Sequence, residues 1–170
     1  MFTHNAKMVL DTLYRPFQKI EEYTDRSGVI LSGMERSFQV DLYSCGAQSV
    51  YMILRYYGKA RSIEAVKRAL RTNSDDGTDE EEIIRVFRQR KLKPVPFKRG
   101  SLRKLDKAID KGYPILIWWN REWDHYSVVY GYSEHHIWVL DPVIFNSFRP
   151  KRSREWFASH WTGSGIIVKS

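Results

Sequence analysis

Read for its apolar and polar positions, the chain divides into two stretches of different period. From Cys45 to Tyr57, apolar and small residues run for about three turns with Arg55 as the only charge, the pattern of a helix buried on nearly all sides. Gly58 ends it, since glycine takes the left-handed conformation of a helix C-terminus at no steric cost. Ser62 caps a second helix, Ile63 to Leu70, and Asn73-Ser74-Asp75-Asp76-Gly77 reads as a turn. Thr78-Asp79-Glu80-Glu81 has the T-x-x-E form of a capping box and predicts a helix to about Gln89. Pro94 to Phe97 is extended, and Ser101 caps an amphipathic helix carrying Leu102, Leu105, Ala108 and Ile109.

Gly112 closes that helix, and the pattern turns extended. Tyr113 to Trp119 predicts a buried strand, His125 to Tyr130 and Ile137 to Leu140 two more joined by a tight connection around Tyr132-Ser133-Glu134. Arg154 to His160 predicts a short helix and Gly165 to Val168 a closing strand. Upstream, residues 6 to 24 are loosely helical but interrupted by Pro16, and Gly28 to Leu31 is a short strand. Helices first and an antiparallel sheet later imply an α+β fold. With no repeat, low-complexity segment or linker, one domain is expected over residues 36–170, with residues 1–35 as an N-terminal extension packed on it.

Composition narrows the function classes. A chain of 170 residues can bury a real core, and its single cysteine permits no internal disulfide. The first residues lack the apolar run of a signal peptide, and no window approaches 18 uncharged apolar residues, so the expectation is a cytoplasmic protein without a membrane span. The formal charge is +8, with basic clusters from Arg85 to Lys107 and over Arg149-Pro150-Lys151-Arg152-Ser153-Arg154. Such clusters suit an acidic partner, but they equally suit a solvated surface, and without a nucleic-acid motif DNA or RNA is not the expected partner. His135 and His136 have no Cys, Asp or Glu at ligand spacing, so neither metal nor cofactor is expected.

Two readings of Cys45 stand side by side. A lone cysteine on an apolar helix is often a small buried hydrophobe. In the first helical turn, however, the positive end of the dipole favours thiolate over thiol and prepares a nucleophile. A nucleophile needs a base, and among five histidines His125 has a natural partner, because a symmetric turn centred on Ser133 sets it directly across from Asp141. The carboxylate would then accept from Nδ1–H and aim the other nitrogen at Cys45. A register slip of one residue defeats that geometry, and His125 would then be an ordinary strand histidine and Asp141-Pro142 a turn starter. Asp124 is a fallback carboxylate, although adjacent strand residues face opposite sides.

The same residues carry a family resemblance. Gln39, six positions before Cys45-Gly46-Ala47, with Met52-Ile53-Leu54-Arg55-Tyr56-Tyr57-Gly58 beyond, resembles the signature of the C39 peptidases, papain-like cysteine proteases known as leader-cutting domains of bacteriocin exporters. The similarity continues through Gly77-Thr78, Gly112-Tyr113-Pro114, His125 with Ser127-Val128-Val129-Tyr130-Gly131, and Val139-Leu140-Asp141-Pro142. It implies a papain-like fold, with Cys45 as nucleophile, His125 as base and acid, Asp141 as orienting carboxylate and Gln39 completing an oxyanion hole. Taken alone, Gln39 is a surface residue. Many members have Asp or Glu before the cysteine where this chain has Ser44, and no transporter parts are present here, so Gly-Gly leader cleavage is not implied.

The leading expectation is therefore a stand-alone cysteine peptidase acting on a peptide or protein. A glutamine deamidase or transamidase on the same triad, or a non-catalytic binding module, are the alternatives. Gly46 is expected beside the substrate. Trp118, Trp119, Trp123, Tyr126 and Tyr130 crowd the strands around His125, and Trp119 or Trp123 is expected to wall the cleft unless all these rings are core.

Overall fold

The computed structural model describes residues 28–60, 62–119, 125–147 and 149–170, so the reading of residues 6 to 24 and the loop with Trp123 and Asp124 lie outside the described residues. Helix α1 (Cys45–Tyr56) buries Cys45 through Val50 and Met52 through Leu54. Arg55 stays at its rim in an ion pair with Glu35, and Gly58 turns the chain away at φ +66°. Helices α2 (Ile63–Ala69), α4 (Leu102–Ile109) and α6 (Arg154–His160) each follow a serine, Ser62, Ser101 or Ser153, whose hydroxyl accepts from the amide three residues on. One otherwise unpaired donor at each helix start is thereby satisfied.

Helix α3 (Glu80–Gln89) is capped one residue later than the T-x-x-E spacing predicts. Asp79 is the N-cap and accepts from the amides of Glu81 and Glu82. Thr78 is buried, with its hydroxyl 3.0 Å from that of Thr72. A carboxylate two residues ahead of the free amides outcompetes a hydroxyl that is already engaged. A single-turn helix, α5 (Ile144–Ser147), lies between the fifth and sixth strands of the sheet.

Strands β1 (Val29–Ile30), β2 (Lys93–Phe97), β3 (Ile115–Trp119), β4 (Tyr126–Tyr132), β5 (His136–Leu140), β6 (Lys151–Ser153) and β7 (Trp161–Lys169) form one antiparallel sheet in the order β2-β7-β3-β4-β5-β6. β1 lies alongside β4 beyond the end of the β3 ladder. Side chains that alternate across the sheet feed two separate cores. Leu116, Val128, Leu140, Ile166 and Val168 pack with Val50, Ile53, Val66, Ile83 and Phe87 of α1, α2 and α3. Ile115, Ile117, Val129, Ile137 and Ile167 pack with Leu105, Ala108, Ile109 and Phe157 of α4 and α6. The α+β class is as expected, a buried first helix on a C-terminal antiparallel sheet. β6 and the first half of β7 escape the pattern because Lys151-Arg152-Ser153 is a charged edge and Thr162-Gly163-Ser164 has no apolar alternation.

The antiparallel pairing of β4 and β5 brings the start of one and the end of the other to the same end of the sheet. His125 and Asp141, the residues flanking those ends, therefore meet there without belonging to the ladder. The first turn of α1 approaches this end through Gly46, where an added Cβ would lie 2.7 Å from the Cβ of Thr78 and 3.0 Å from its Oγ1. The obstacle is a branched stem near the backbone, which cannot swing aside. Gly46→Ala is expected to lower stability by about 1–3 kcal/mol, read as a lower denaturation midpoint; an unchanged midpoint would contradict this close approach.

Candidate active site

Asp141 is the most heavily hydrogen-bonded side chain at this end of the sheet. Its Oδ1 accepts from His125 Nε2 at 2.9 Å and from the Val143 amide at 2.8 Å. Its Oδ2 accepts from the Ser127 hydroxyl at 3.1 Å and from Asn146 Nδ2 at 3.3 Å. Ser127 in turn accepts from the indole N–H of Trp119 at 2.8 Å, and the Trp119 amide donates to the His125 carbonyl at 3.0 Å. A buried carboxylate is tolerated where its lone pairs are filled in this way.

His125 and Asp141 are brought together, but not in the predicted register. β4 pairs with β5 through Val128↔Leu140 and Val129↔Val139, so the ladder carried one step further sets Ser127, not His125, opposite Asp141. An irregularity between Val129 and Gly131 shifts the hairpin away from symmetry about Ser133. His125 shares the face of Ser127 two residues away and reaches Asp141 diagonally. The ring is also turned over: Nε2 rather than Nδ1 bonds the carboxylate. Nδ1 is thus left clear of the carboxylate, and the Cys45 side chain is the second polar neighbour that acts on the ring.

Electrostatics follow from these contacts. Burial of the His125 ring opposes its charged form, but the hydrogen bonds to Asp141 and Cys45 and the charges of those groups outweigh it, and its pKa is raised to about 9. At neutral pH the imidazole is held protonated beside the sulfur. Cys45 lies 8 % exposed at the first position of α1, and the Ser44 side chain makes no capping bond to the amides of that turn.

Gln39 lies in the loop ahead of α1, and its amide donates to the Pro142 carbonyl, which ties the loop to the turn after Asp141. One side-chain N–H goes to the Asp41 carbonyl at 2.7 Å, while its buried Oε1 has no hydrogen-bond partner among the described residues. The second Nε2 hydrogen carries no bond within the loop. Asp41, which sequence reasoning missed, organises this segment: its Oδ1 accepts from the amides of Tyr43 and Ser44, and its Oδ2 pairs with Lys67 of α2 at 2.8 Å. Burial works against its charge, yet Lys67 and Ser44 prevail and hold its carboxyl below the ordinary range. An Asp shortly before a helix start, able to fold its carboxylate back onto amides two and three residues on, was the available signal. Ser127 was missed too; its signal was a small polar residue in an apolar strand, two positions from His125.

Two cavities meet at Trp119, which is only 5 % exposed and packs against Trp156 and Phe157. The first, about 700 Å³, is lined by Glu80, Pro96, Phe97, Lys98, Trp118, Trp119, Thr162 and Ser164. Trp118 lies against Tyr126, the residue after His125, and the Tyr126 hydroxyl donates to the Thr78 carbonyl. The second, about 650 Å³, lies on the Asp141 side. Among the described residues no group of three His, Cys, Asp or Glu could hold a metal ion, and no helix is long and apolar enough to cross a membrane.

Known proteins with this architecture can now be set beside it. The chain is similar to the lactococcin-G-processing and transport ATP-binding protein LagD of Lactococcus lactis subsp. lactis, 28% identical over 132 residues, covering 78% of this chain and 18% of LagD. It is also similar to the pediocin PA-1 transport/processing ATP-binding protein PedD of Pediococcus acidilactici, 24% identical over 132 residues, covering 76% of this chain and 18% of PedD. The chain thus spans less than a fifth of the length of these relatives. Among solved structures, the peptidase domain of Streptococcus ComA, a bi-functional ABC transporter involved in quorum sensing, matches with a TM-score of 0.69 at 25% identity over 80% of this chain and 98% of that domain. A double glycine motif protease from an AMS/PCAT transporter, in complex with its leader peptide, matches in fold with a TM-score of 0.64 at 23% identity, over 82% of this chain and 96% of that one. A model of the Peptidase C39 family matches residues 34–170. Because that match runs from the loop ahead of Cys45 through both halves of the fold to Ser170, this chain belongs to the Peptidase C39 family.

Proposed function

We propose that the chain is a cysteine peptidase that cleaves a peptide through Cys45, His125 and Asp141, with Gln39 and the Cys45 amide as the oxyanion hole. The observation that carries this reading is the unbroken sequence of contacts from Asp141 through His125 to Cys45, with Asp141 saturated by four donors. The Cys45 sulfur attacks the scissile carbonyl carbon, forming the C–S bond, and the carbonyl oxygen takes the negative charge. One Nε2 hydrogen of Gln39, remaining after its bond to Asp41, and the Cys45 N–H stabilise that oxygen, each worth about 2.7–4 kcal/mol in comparable sites. The tetrahedral species collapses as His125 gives its proton to the departing nitrogen, and the C–N bond breaks. Water, deprotonated by His125, then attacks the thioester carbon, the C–S bond breaks, and the acid is released as Cys45 leaves as thiolate beside the reprotonated His125. Asp141 keeps the ring aimed throughout.

The peptide enters by the first cavity, whose Trp118 wall packs on Tyr126 beside His125, with Trp119 lining both this cavity and the second. The ComA and PCAT relatives support a peptide as substrate, since the latter was solved with a leader peptide bound. Mass analysis after incubation with a peptide library tests the reaction. Two fragments whose masses sum to substrate plus water, absent with Cys45→Ala, are expected; a gain of about one dalton without cleavage would mean deamidation instead, and unchanged peptides would contradict the enzyme reading.

The His125 pKa sets the alkaline limit. His125 is protonated below about 9 and can serve as acid there, so kcat/KM is expected to fall as pH rises through about 9. In Asp141→Asn the burial of the ring is less opposed, and the limb moves to lower pH. A limb that stays in place in that variant would show that Asp141 does not set the charge of His125.

A further inference from the structure

A third cavity, of about 340 Å³, lies between α4 and the end of β7, on the face of the sheet opposite α1. It shares no lining residue with the two cavities that meet at Trp119. Arg103, Lys104, Lys107, Lys111 and Lys169 surround it, and no carboxylate lines it. None of these five cations is ion-paired among the described residues, whereas Arg55, Lys67, Arg71, Arg85 and Arg154 each have a carboxylate. The acids of this segment are engaged elsewhere: Asp106 pairs with Arg154, Asp110 accepts from the Tyr132 hydroxyl, and neither lines the cavity. Rings rather than carboxylates place two of the ammonium groups, Lys104 Nζ at 4.5 Å from the Phe97 ring centre and Lys169 Nζ at 5.8 Å from that of Tyr113. The sheet adds a like-charge pair, since Lys93 of β2 stands directly opposite Lys169 of β7. Like charges so placed destabilise a sheet, a cost that a bound anion relieves.

Charge density and donor type decide which anion fits. At about 340 Å³ the cavity is at the small end of ligand clefts, which run from about 300 to 1,000 Å³. A peptide filling it brings one negative charge per acidic residue, whereas each phosphate group brings about −1.5 to −2 at neutral pH, with three strong acceptor oxygens. Lys104, Lys107, Lys111 and Lys169 meet phosphate as point charges, while two-point recognition of a carboxylate calls for the planar fork of arginine. Ser101 adds a donor, because its oxygen accepts from the Lys104 amide at 3.3 Å and its proton goes to no described residue. Ala108, Ile167 and Tyr113 supply an apolar wall behind these groups. We propose that this cavity binds a compact soluble ligand carrying two or more phosphate groups, held by Arg103, Lys107, Lys111 and Lys169. The site stands independently of the peptidase reading, since none of its residues takes part in the reaction described above.

Isothermal titration calorimetry of the full chain with inorganic tripolyphosphate tests this, with citrate as the polycarboxylate for comparison. Tripolyphosphate is expected to bind about tenfold more tightly than citrate at an ionic strength of about 0.05 M, and to weaken at about 0.5 M. An Arg103→Gln, Lys107→Gln variant, changed only at exposed positions, is expected to lose about fivefold to tenfold in affinity. An Arg68→Gln, Arg88→Gln variant removes the same charge from exposed positions of α2 and α3 and is expected to bind as the unmodified chain does. Equal affinity for the two anions, or an equal loss in both variants, overturns the proposal. Failure of tripolyphosphate to bind overturns it as well. In that event, retention on phosphatidylserine vesicles, or binding of a short oligothymidylate, that is lost in the Arg103→Gln, Lys107→Gln variant assigns the face to a membrane or to nucleic acid instead.

Discussion

The bond between His125 and Asp141 is the constraint on which the arrangement of this end of the molecule depends. A charged pair taken out of water costs several kcal/mol per ion, and losing one partner of such a pair typically costs about 3–5 kcal/mol. The fold meets that cost with donors drawn from three places: Ser127 of β4, the Val143 amide of the turn and Asn146 of α5. Trp119 completes the support from β3 by holding Ser127 and the His125 carbonyl at once. Its burial is thus tied to the orientation of the His125 ring, a role separate from any substrate contact.

The helical half is locked to the same place by a second set of bonds. Gln48, one turn into α1, donates to the Phe38 carbonyl at 3.0 Å and accepts from the Ser37 hydroxyl at 2.8 Å. Asp41 folds the loop back on itself and anchors it to α2 through Lys67. The Gln39 amide reaches across to Pro142, so the segment carrying the proposed oxyanion donor and the turn carrying the carboxylate move as one. Preorganised donors of this kind stabilise developing charge without rearrangement, and for that reason a loop rather than a helix can carry one.

Most of the architecture was legible because its signals are local. The buried run of α1, the serine caps of three helices and Gly58 are properties of short windows, whereas the pairing of His125 with Asp141 was read from a hairpin symmetric about Ser133, which the ladder does not have. What escaped depended on contacts between windows. The cap of α3 fell on Asp79 because Thr78 was committed to Thr72 and to Gly46. The His125–Asp141 pair came together through a diagonal, since the irregularity in β4 could not be read from an apolar pattern that is equally regular in either register. Asp41 and Ser127 looked like loop and strand filler until their partners, Lys67 and Trp119, stood beside them. Strand β6 escaped because a charged edge strand is selected for its solubility and carries no alternation.

The central claim is that His125 keeps the Cys45 sulfur reactive by standing beside it as a cation oriented by Asp141. Because Cys45 is the only cysteine in the chain, its alkylation by iodoacetamide reports on that one atom. The decisive measurement is the alkylation rate as a function of pH for the unmodified chain and for His125→Ala. The account predicts rapid reaction at about pH 6 that is lost in the variant, as for a thiolate paired with imidazolium. A rate that rises only as an ordinary thiol ionises, near pH ~8.5, and does so whether or not His125 is present, would contradict it.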